Sequence, residues 1–152
     1  MTMKGAPMES ATRVLVVANR TAATPQLLAC VRERAAKGPC EFTLLVPNTT
    51  HGLHTLVDPE DQSQNEAEAV IELALPLLEE AAGGEVDAMV GVPEPLAAIQ
   101  DAVNLHGFDE LIISTLPTRV SKWLHLDLPS KAAGLGLPVT TVTARSRERA
   151  EA

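Results

Sequence analysis

The sequence predicts a single α/β domain built on a five-stranded, doubly wound parallel sheet with helices on both faces. Residues 14–18 and 111–113 are entirely apolar, as expected of strands buried on both faces of a parallel sheet. Segments of strand length alternate with segments of helical periodicity along the whole chain. At 152 residues the chain is long enough for one sizeable core. We expect a domain over 12–143, between a flexible arm at 1–11 and a charged tail at 144–152.

The first strand ends in the polar sequence Asn19-Arg20-Thr21, and a helix is expected to follow. Thr24 offers an N-cap hydroxyl and Pro25 suits the first helical position, where a missing N–H is not needed. Gly38-Pro39 ends this helix. Residues 41–46 then form the second strand.

The segment from about 48 to 62 is expected to be a solvated loop. It contains His51 and His54, followed by Asp58, Glu60 and Asp61. These residue types can bind a metal ion, but their spacing defines neither a helical face nor a tight ligand set. We therefore favour the loop interpretation and expect no metal.

The second helix is expected to start at Ser63. Ser63 and Glu66 form a capping box, in which each side chain satisfies a backbone amide of the first turn. Apolar residues then recur at helical spacing until Gly83-Gly84. Pro76 lies inside this helix and removes one hydrogen bond, so we expect a kink rather than a break.

The third strand, residues 85–92, is expected at a half-exposed edge because Asp87 interrupts its apolar residues. Pro95 opens the third helix and His106-Gly107 closes it. We interpret His106 as a partner of the helix dipole rather than a catalytic group. The fourth strand follows from Asp109 and ends in Ser114-Thr115.

Beyond the fourth strand, Asp127 is expected to cap a short last helix, and residues 138–143 form a fifth strand rich in β-branched residues. Trp123 forms a small apolar face with Val120 and Leu124 at helical spacing. This face either packs onto the sheet or covers a crevice or a partner chain.

Composition argues against several classes of partner. The formal charge of -8 disfavours nucleic acid and anionic membrane surfaces, and the scarcity of aromatic residues leaves no platform for stacking bases. Cys30 and Cys40 are expected as free thiols in a reducing compartment. The first residues lack the apolar core of a signal peptide, and no apolar run approaches a membrane span. We expect a soluble, cytoplasmic protein.

The position of a ligand site follows from the fold class. In open α/β sheets, ligands bind beyond the carboxyl ends of the strands, where the winding direction switches. Ser114 and Thr115 end a central strand, so we expect them to line that crevice.

Several short matches across residues 13–143 resemble the universal stress protein family in order and spacing. Residues 14–24 align without gaps on its opening strand and turn, with Asn19 where the family usually has Asp. Gly91-Val92-Pro93 stands where the family has Gly-Asp-Pro, and 111–115 match a strand that ends in Gly-Thr. Pro138-Val139 matches the opening of the last strand.

The resemblance implies the adenine nucleotide alpha hydrolase-like fold, a three-layer α/β/α sandwich with strand order 3-2-1-4-5. Its switch point lies between the first and fourth strands, so residues 19–24 would face 114–119 across one crevice. The candidate ligand-binding residues are Ala18, Asn19, Arg20, Thr21, Val46, Ser114, Thr115, Arg119 and Lys122.

Two groups of these candidates have two interpretations each. The Asn19 amide either bonds an adenine edge or ribose hydroxyl, or simply suits the turn after a strand. Arg20, Arg119, Lys122 and Lys131 either neutralise an anionic ligand or form a solvated surface.

Family members that bind ATP carry a glycine signature after the fourth strand, whose backbone amides approach the phosphates closely. This chain has Pro117 and Val120 near the first two glycine positions and Asp127 near the last. Proline lacks a donor, valine blocks close approach, and the carboxylate repels a polyphosphate. The sequence therefore assigns no cofactor with certainty, and we expect at most weak binding of AMP or ATP.

The favoured function is a non-catalytic, dimeric binding or regulatory module with a small anionic or nucleotide-type ligand. The fifth strand lies at the sheet edge in this fold and carries neither Lys nor interior Pro, so two copies can pair there as a homodimer. The alternative is an enzyme that transfers or hydrolyses phosphoryl or adenylyl groups. The sequence shows no Walker-type loop, no His-x-Gly-His-type motif and no assignable catalytic arrangement.

Overall fold

Strands and helices alternate along the chain, as predicted. The computed structural model describes residues 11–19, 21–48, 59–116, 123 and 127–144. The strands are β1 (Thr12–Val17), β2 (Cys40–Pro47), β3 (Val86–Gly91), β4 (Glu110–Thr115) and β5 (Val139–Thr143). The helices are α1 (Pro25–Ala36), α2 (Pro59–Ala82), α3 (Pro95–His106) and α4 (Leu128–Ala133).

The five strands form one parallel sheet in the order β3-β2-β1-β4-β5. Val16 in the central strand lies opposite Leu44 of β2 on one side and Ile112 of β4 on the other. The chain moves outward from β1 through β2 to β3, then returns to the other side of β1 for β4. The predicted strand order is therefore confirmed, and the winding direction switches between β1 and β4.

The two faces of β1 supply two separate cores, which explains its uninterrupted apolar run. Val14 and Val16 belong to a cluster with residues of α1 and α2. Leu15 and Val17 belong to a second cluster with residues of α3 and α4. All four side chains are at most 1% exposed. The sheet is thus the middle layer of three, and the prediction of strands buried on both faces is confirmed.

The two edge strands are more exposed than the centre. Asp87 and Ala88 of β3 face solvent, which confirms the half-exposed edge predicted there. In β5 the three threonines, Thr140, Thr141 and Thr143, are exposed. Beyond β5, Ala144 is buried and its amide donates to the Thr115 carbonyl, so the ordered ladder extends into the first residue of the predicted tail. The rest of that tail, and residues 1–10 of the predicted arm, lie outside the described residues.

The predicted start of the second helix is wrong. Helix α2 begins at Pro59, so residues 59–62 belong to the helix rather than to a loop. Pro59 suits the first helical position, where its missing amide is not needed. The helix continues across Pro76 to Ala82, which confirms that proline does not break it. His51, His54 and Asp58 lie outside the described residues.

Two predicted caps occupy the expected positions but act differently. Thr24 is the N-cap residue of α1, yet its hydroxyl donates to the Thr21 carbonyl at 3.0 Å and makes no bond to the helix. Asp127 is the N-cap residue of α4 and makes no side-chain cap bond either. Its φ of 60° is left-handed, unlike the extended backbone from which an Asp side chain reaches the helix amides.

Other predicted features agree with the structure. His106 is the last residue of α3, as predicted. Cys30 and Cys40 are free thiols, and burial raises the pKa of both. Within the parts of the chain that the structure describes, every helix is too short or too polar to traverse a bilayer.

An ion pair connects α1 to the amino end of β4. The Arg34 guanidinium donates to both carboxylate oxygens of Glu110, at 3.0 and 2.7 Å, and the two side chains are 21% and 26% exposed. The hydrogen bonds from Arg34 hold the pKa of Glu110 below its usual range. A lowered pKa means that the folded state favours the charged carboxylate. The pair therefore stabilises the protein at pH values above the pKa that Glu110 has in the unfolded chain. This stabilisation is lost as the pH falls through the pKa that Glu110 has in the folded protein.

We expect Glu110→Gln to lower the free energy of unfolding by about 1 kcal/mol at neutral pH, because the charged, two-pronged hydrogen bond is lost. The difference from wild type should shrink as pH falls through the folded pKa. Urea unfolding across this pH range measures it. Glu41→Gln is the control, because Glu41 is largely exposed and lies 3.9 Å from Arg13. If the stability that Glu110→Gln loses does not change with pH, the ion pair with Arg34 is not its cause.

Candidate functional site

The carboxyl ends of β1 and β4 lie side by side, and the turn after β1 contacts the end of β4. Val17 is in register with Ile113, so Ala18 leaves β1 beside Ser114, while β4 continues to Thr115. The Ser114 hydroxyl lies 2.7 Å from the Thr21 hydroxyl oxygen and 3.4 Å from the Thr21 carbonyl. The two segments that were predicted to face each other are therefore in direct contact at this position.

Backbone hydrogen bonds hold the turn after β1 in place. The Ala18 amide donates to the Leu45 carbonyl at 3.1 Å, which keeps the exit of β1 beside β2. The Ala22 amide donates to the Asn19 carbonyl at 3.2 Å, and the Thr24 amide donates to the Thr21 carbonyl at the same distance. Asn19 is half-buried, and its carbonyl serves the turn.

The hydroxyl residues at this edge of the sheet are buried. Thr21, Ser114 and Thr115 are only 3%, 1% and 2% exposed. The Ser114 hydroxyl donates to Thr21, and the Thr115 and Thr143 hydroxyl oxygens are 3.5 Å apart. These contacts connect β1 to β4 and β4 to β5, so the hydroxyls position neighbouring groups and leave little surface for direct contact with a ligand.

The end of β2 supplies two further residues on the same side of the sheet. Val46 is fully buried in the cluster that includes Val16 and Ala18. Asn48 directly follows β2, and its amide donates to the Gly91 carbonyl at 2.8 Å. Its side-chain oxygen is buried without a hydrogen-bond partner among the described residues. Sequence reasoning used Asn48 only as the end of a strand, although a polar residue directly after a buried strand, at the carboxyl edge of the sheet, was a signal.

The remaining candidates are distributed differently. Arg20, Arg119 and Lys122 lie outside the described residues, as do Pro117 and Val120. Lys131 is an exposed residue of α4. Trp123 is partly buried against the cluster that contains Leu15 and Val17, which favours the interpretation that it packs onto the sheet.

The described part of this edge offers hydrogen bonds and apolar contact rather than acid–base chemistry. Among the described residues, the groups whose pKa is shifted are Cys30, Arg34, Cys40 and Glu110. Three of them lie where α1 ends and where β2 and β4 begin, which is the opposite edge of the sheet. The described residues also contain no cluster of His, Cys, Asp or Glu side chains that could hold a metal ion.

Neither protein-family models nor curated protein sequences match the chain, but solved structures do. A universal stress protein from Archaeoglobus fulgidus matches with a TM-score of 0.63 at 16% identity, over 86% of this chain and 93% of that one. The dAMP complex of the universal stress protein from Archaeoglobus fulgidus matches at 0.59 and 14% identity, over 86% and 97%. An Arabidopsis thaliana universal stress protein family protein with AMP bound matches at 0.52 and 16%, over 90% and 94%. The chain thus has the universal stress protein fold.

Proposed function

We propose that this chain is a divergent universal stress protein: a non-catalytic, cytoplasmic, dimeric binding module that takes an adenine nucleotide between the carboxyl ends of β1 and β4. The observation that carries the proposal is the contact between Thr21 and Ser114, because it brings both sides of the switch point together. Solved structures with this fold contain dAMP in one case and AMP in another, which supports the choice of an adenine nucleotide.

The nucleoside would lie over the exits of β1 and β2. Ala18 and Val46 are fully buried beneath these exits, and the Asn19 amide can donate to and accept from an adenine edge or a ribose hydroxyl. Thr21, Ser114 and Thr115 would connect the neighbouring strands at this edge of the sheet. Arg20, Arg119 and Lys122 are the cations that the sequence places near the phosphate end.

A monophosphate suits this sequence better than a triphosphate. The stretch from Leu116 to Ser130 contains no glycine, so it offers no close backbone cradle for a polyphosphate. Pro117 lacks an amide donor, and the Asp127 carboxylate would repel the additional charges. We therefore propose AMP as the preferred ligand and ATP as a weaker one.

The dimer would form through β5. This strand lies at one end of the sheet, and its exposed side chains are uncharged threonines. The main defences that proteins use against edge pairing are charged residues, proline and bulges, and residues 139–143 contain neither charge nor proline. Two copies could continue the sheet across a two-fold axis.

Titration calorimetry on dialysed protein tests the ligand assignment. We expect AMP to bind more tightly than ATP, and Asn19→Ala to weaken AMP binding by about 10-fold through loss of its hydrogen bonds. Asn104→Ala is the matched control, because Asn104 is exposed near the end of α3, at the opposite edge of the sheet. Absence of AMP binding would refute the proposal. Turnover of the nucleotide, followed by chromatography, would replace it with the enzyme alternative.

A further inference from the structure

Helix α2 carries an exposed apolar strip on the side that faces away from the sheet. Leu73 is 69% exposed and Leu77 is 39% exposed. Ala69 and Pro76 are exposed as well. Residues that are three, four or seven positions apart lie along one side of a helix, so these four form a continuous surface, which we call the α2 strip.

The opposite side of α2 already packs on the sheet. Ala74 and Leu78 are each 1% exposed and belong to the cluster that contains Val14 and Val16. At about 100° per residue, they lie about 100° and 140° around the helix from Leu73. A single exposed leucine is ordinary on a protein surface, whereas several adjacent apolar residues on one face indicate an interaction site. The α2 strip is therefore a candidate docking surface.

Glutamates border the α2 strip. Every charged residue of α2 is acidic. Glu80 follows Leu73 by seven positions, which places it in line with the strip, and Glu68 and Glu72 lie along one side of it. All three glutamates are exposed. The surface thus combines an apolar centre with negative charge at its border.

Pro76 leaves a backbone acceptor beside the strip. A proline has no amide, so the Glu72 carbonyl lacks the donor that residue 76 provides in an uninterrupted helix. Glu72 and Pro76 are both exposed, so this carbonyl lies on the solvent side of α2. A Lys or Arg side chain carries N–H groups that can donate to such a carbonyl as well as to the neighbouring carboxylates.

Charge decides which occupant the strip fits. Two copies of α2 packed against each other would bring their glutamates together, and like charges repel across an interface. Anionic membranes and nucleic acids would be repelled for the same reason. A helix with one apolar face and Lys or Arg beside that face complements both the apolar centre and the acidic border.

We propose that the α2 strip binds a basic amphipathic helix of another protein. Leu73 and Leu77 supply the apolar contact, and the bordering glutamates attract the basic side chains. This surface goes beyond the proposed nucleotide site and does not depend on it.

Fluorescence anisotropy with a labelled synthetic peptide and the full-length protein tests the proposal. The peptide has about 18 residues, or five helical turns, with Leu along one face and Lys elsewhere. A second peptide has Glu in place of each Lys. Wild type should bind the Leu/Lys peptide at least about 10-fold more tightly than the Leu/Glu peptide, because only the first complements the acidic border.

Variants of the protein then locate the binding surface. The double variant Leu73→Gln with Leu77→Gln should weaken binding of the Leu/Lys peptide by at least about 10-fold. Glu72→Gln with Glu80→Gln should weaken it by about 3-fold and reduce its dependence on salt. Leu105→Gln is the matched control, because Leu105 is 78% exposed on α3, and its affinity should equal that of wild type.

Several outcomes would overturn the inference. One is a Leu/Lys peptide that does not bind, or that binds the double leucine variant as tightly as wild type. Another is a double leucine variant whose mass by light scattering falls from two chains to one, since the strip would then join copies of this chain. The third is a fall of more than about 3 °C in its melting temperature, which would show that the strip packs within its own chain. Failure of AMP to bind would leave the inference standing.

Discussion

Replacing Thr141 with proline should convert the protein from a dimer to a monomer without unfolding it. The expectation combines the proposed pairing of two β5 strands with the direction of each backbone amide in that strand. In a parallel ladder, alternate residues point their N–H and C=O groups to opposite sides. A proline is therefore tolerated only where the lost N–H faces away from the neighbouring strand.

The hydrogen bonds at the two ends of β5 identify those residues. The Leu111 amide donates to the Pro138 carbonyl, and the Ala144 amide donates to the Thr115 carbonyl. Even-numbered residues of β5 therefore direct their backbone groups towards β4. Thr141 directs its own groups to the open edge, so its amide would serve only a second copy of the chain.

Size-exclusion chromatography with light scattering measures the expected change, from the mass of two chains to that of one. Ala88→Pro is the matched control at the other edge. The Asn48 amide donates to the Gly91 carbonyl, so alternation directs the Ala88 amide away from β2. This variant should fold and remain a dimer. A two-chain mass for Thr141→Pro, or a wild-type protein that is already monomeric, would refute pairing through β5.

Gly91→Ala should lower the free energy of unfolding by about 2 kcal/mol, because the last residue of β3 has no room for a side chain. A Cβ atom there would lie 2.7 Å from the Ala98 Cβ and 2.9 Å from Leu45 Cδ1. Both neighbours are buried in the second cluster and cannot move freely. Helix α3 and β3 would have to separate, at the point where the Gly91 carbonyl also holds Asn48.

Thermal or urea unfolding measures this loss, which corresponds to a fall of roughly 4–8 °C in melting temperature for a domain of this size. Gly84→Ala is the control, since a Cβ at that position meets no atom within 4 Å. It should change stability little. The double variant Gly91→Ala with Ala98→Gly should cost less than the sum of the two single changes, because the shortest contact is removed. If the two single losses of stability simply add in the double variant, the contact with Ala98 is not the source of the strain.

Local patterns in the sequence were enough to predict the layers of the fold. The uninterrupted apolar runs of β1 and β4 arise because each strand buries both faces, and this requirement acts on consecutive residues. Proline at the first helical position predicted the starts of α1 and α3, because the start of a helix depends on a few consecutive residues. The strand order came from the family resemblance, and the sheet confirmed it.

The local signals also had limits. The capping box at Ser63 suggested a helix start that lies inside α2, because a helix that is already nucleated extends through a sequence able to begin one. The cap expected from Asp127 failed because its backbone is left-handed, and the Thr24 hydroxyl donates to the Thr21 carbonyl instead of accepting from the helix.

The sequence by itself determined which residues are buried in the sheet and where its carboxyl edge lies. Only the tertiary structure decided that Ser114 bonds Thr21 across 93 positions of the chain, that Gly91 must lack a side chain, and that the buried Asn48 side-chain oxygen has no partner among the described residues. Each of these depends on distances between segments that are remote in sequence. Hydrophobic burial specifies the layers through local composition, whereas close contacts and hydrogen bonds depend on how the finished layers fit together.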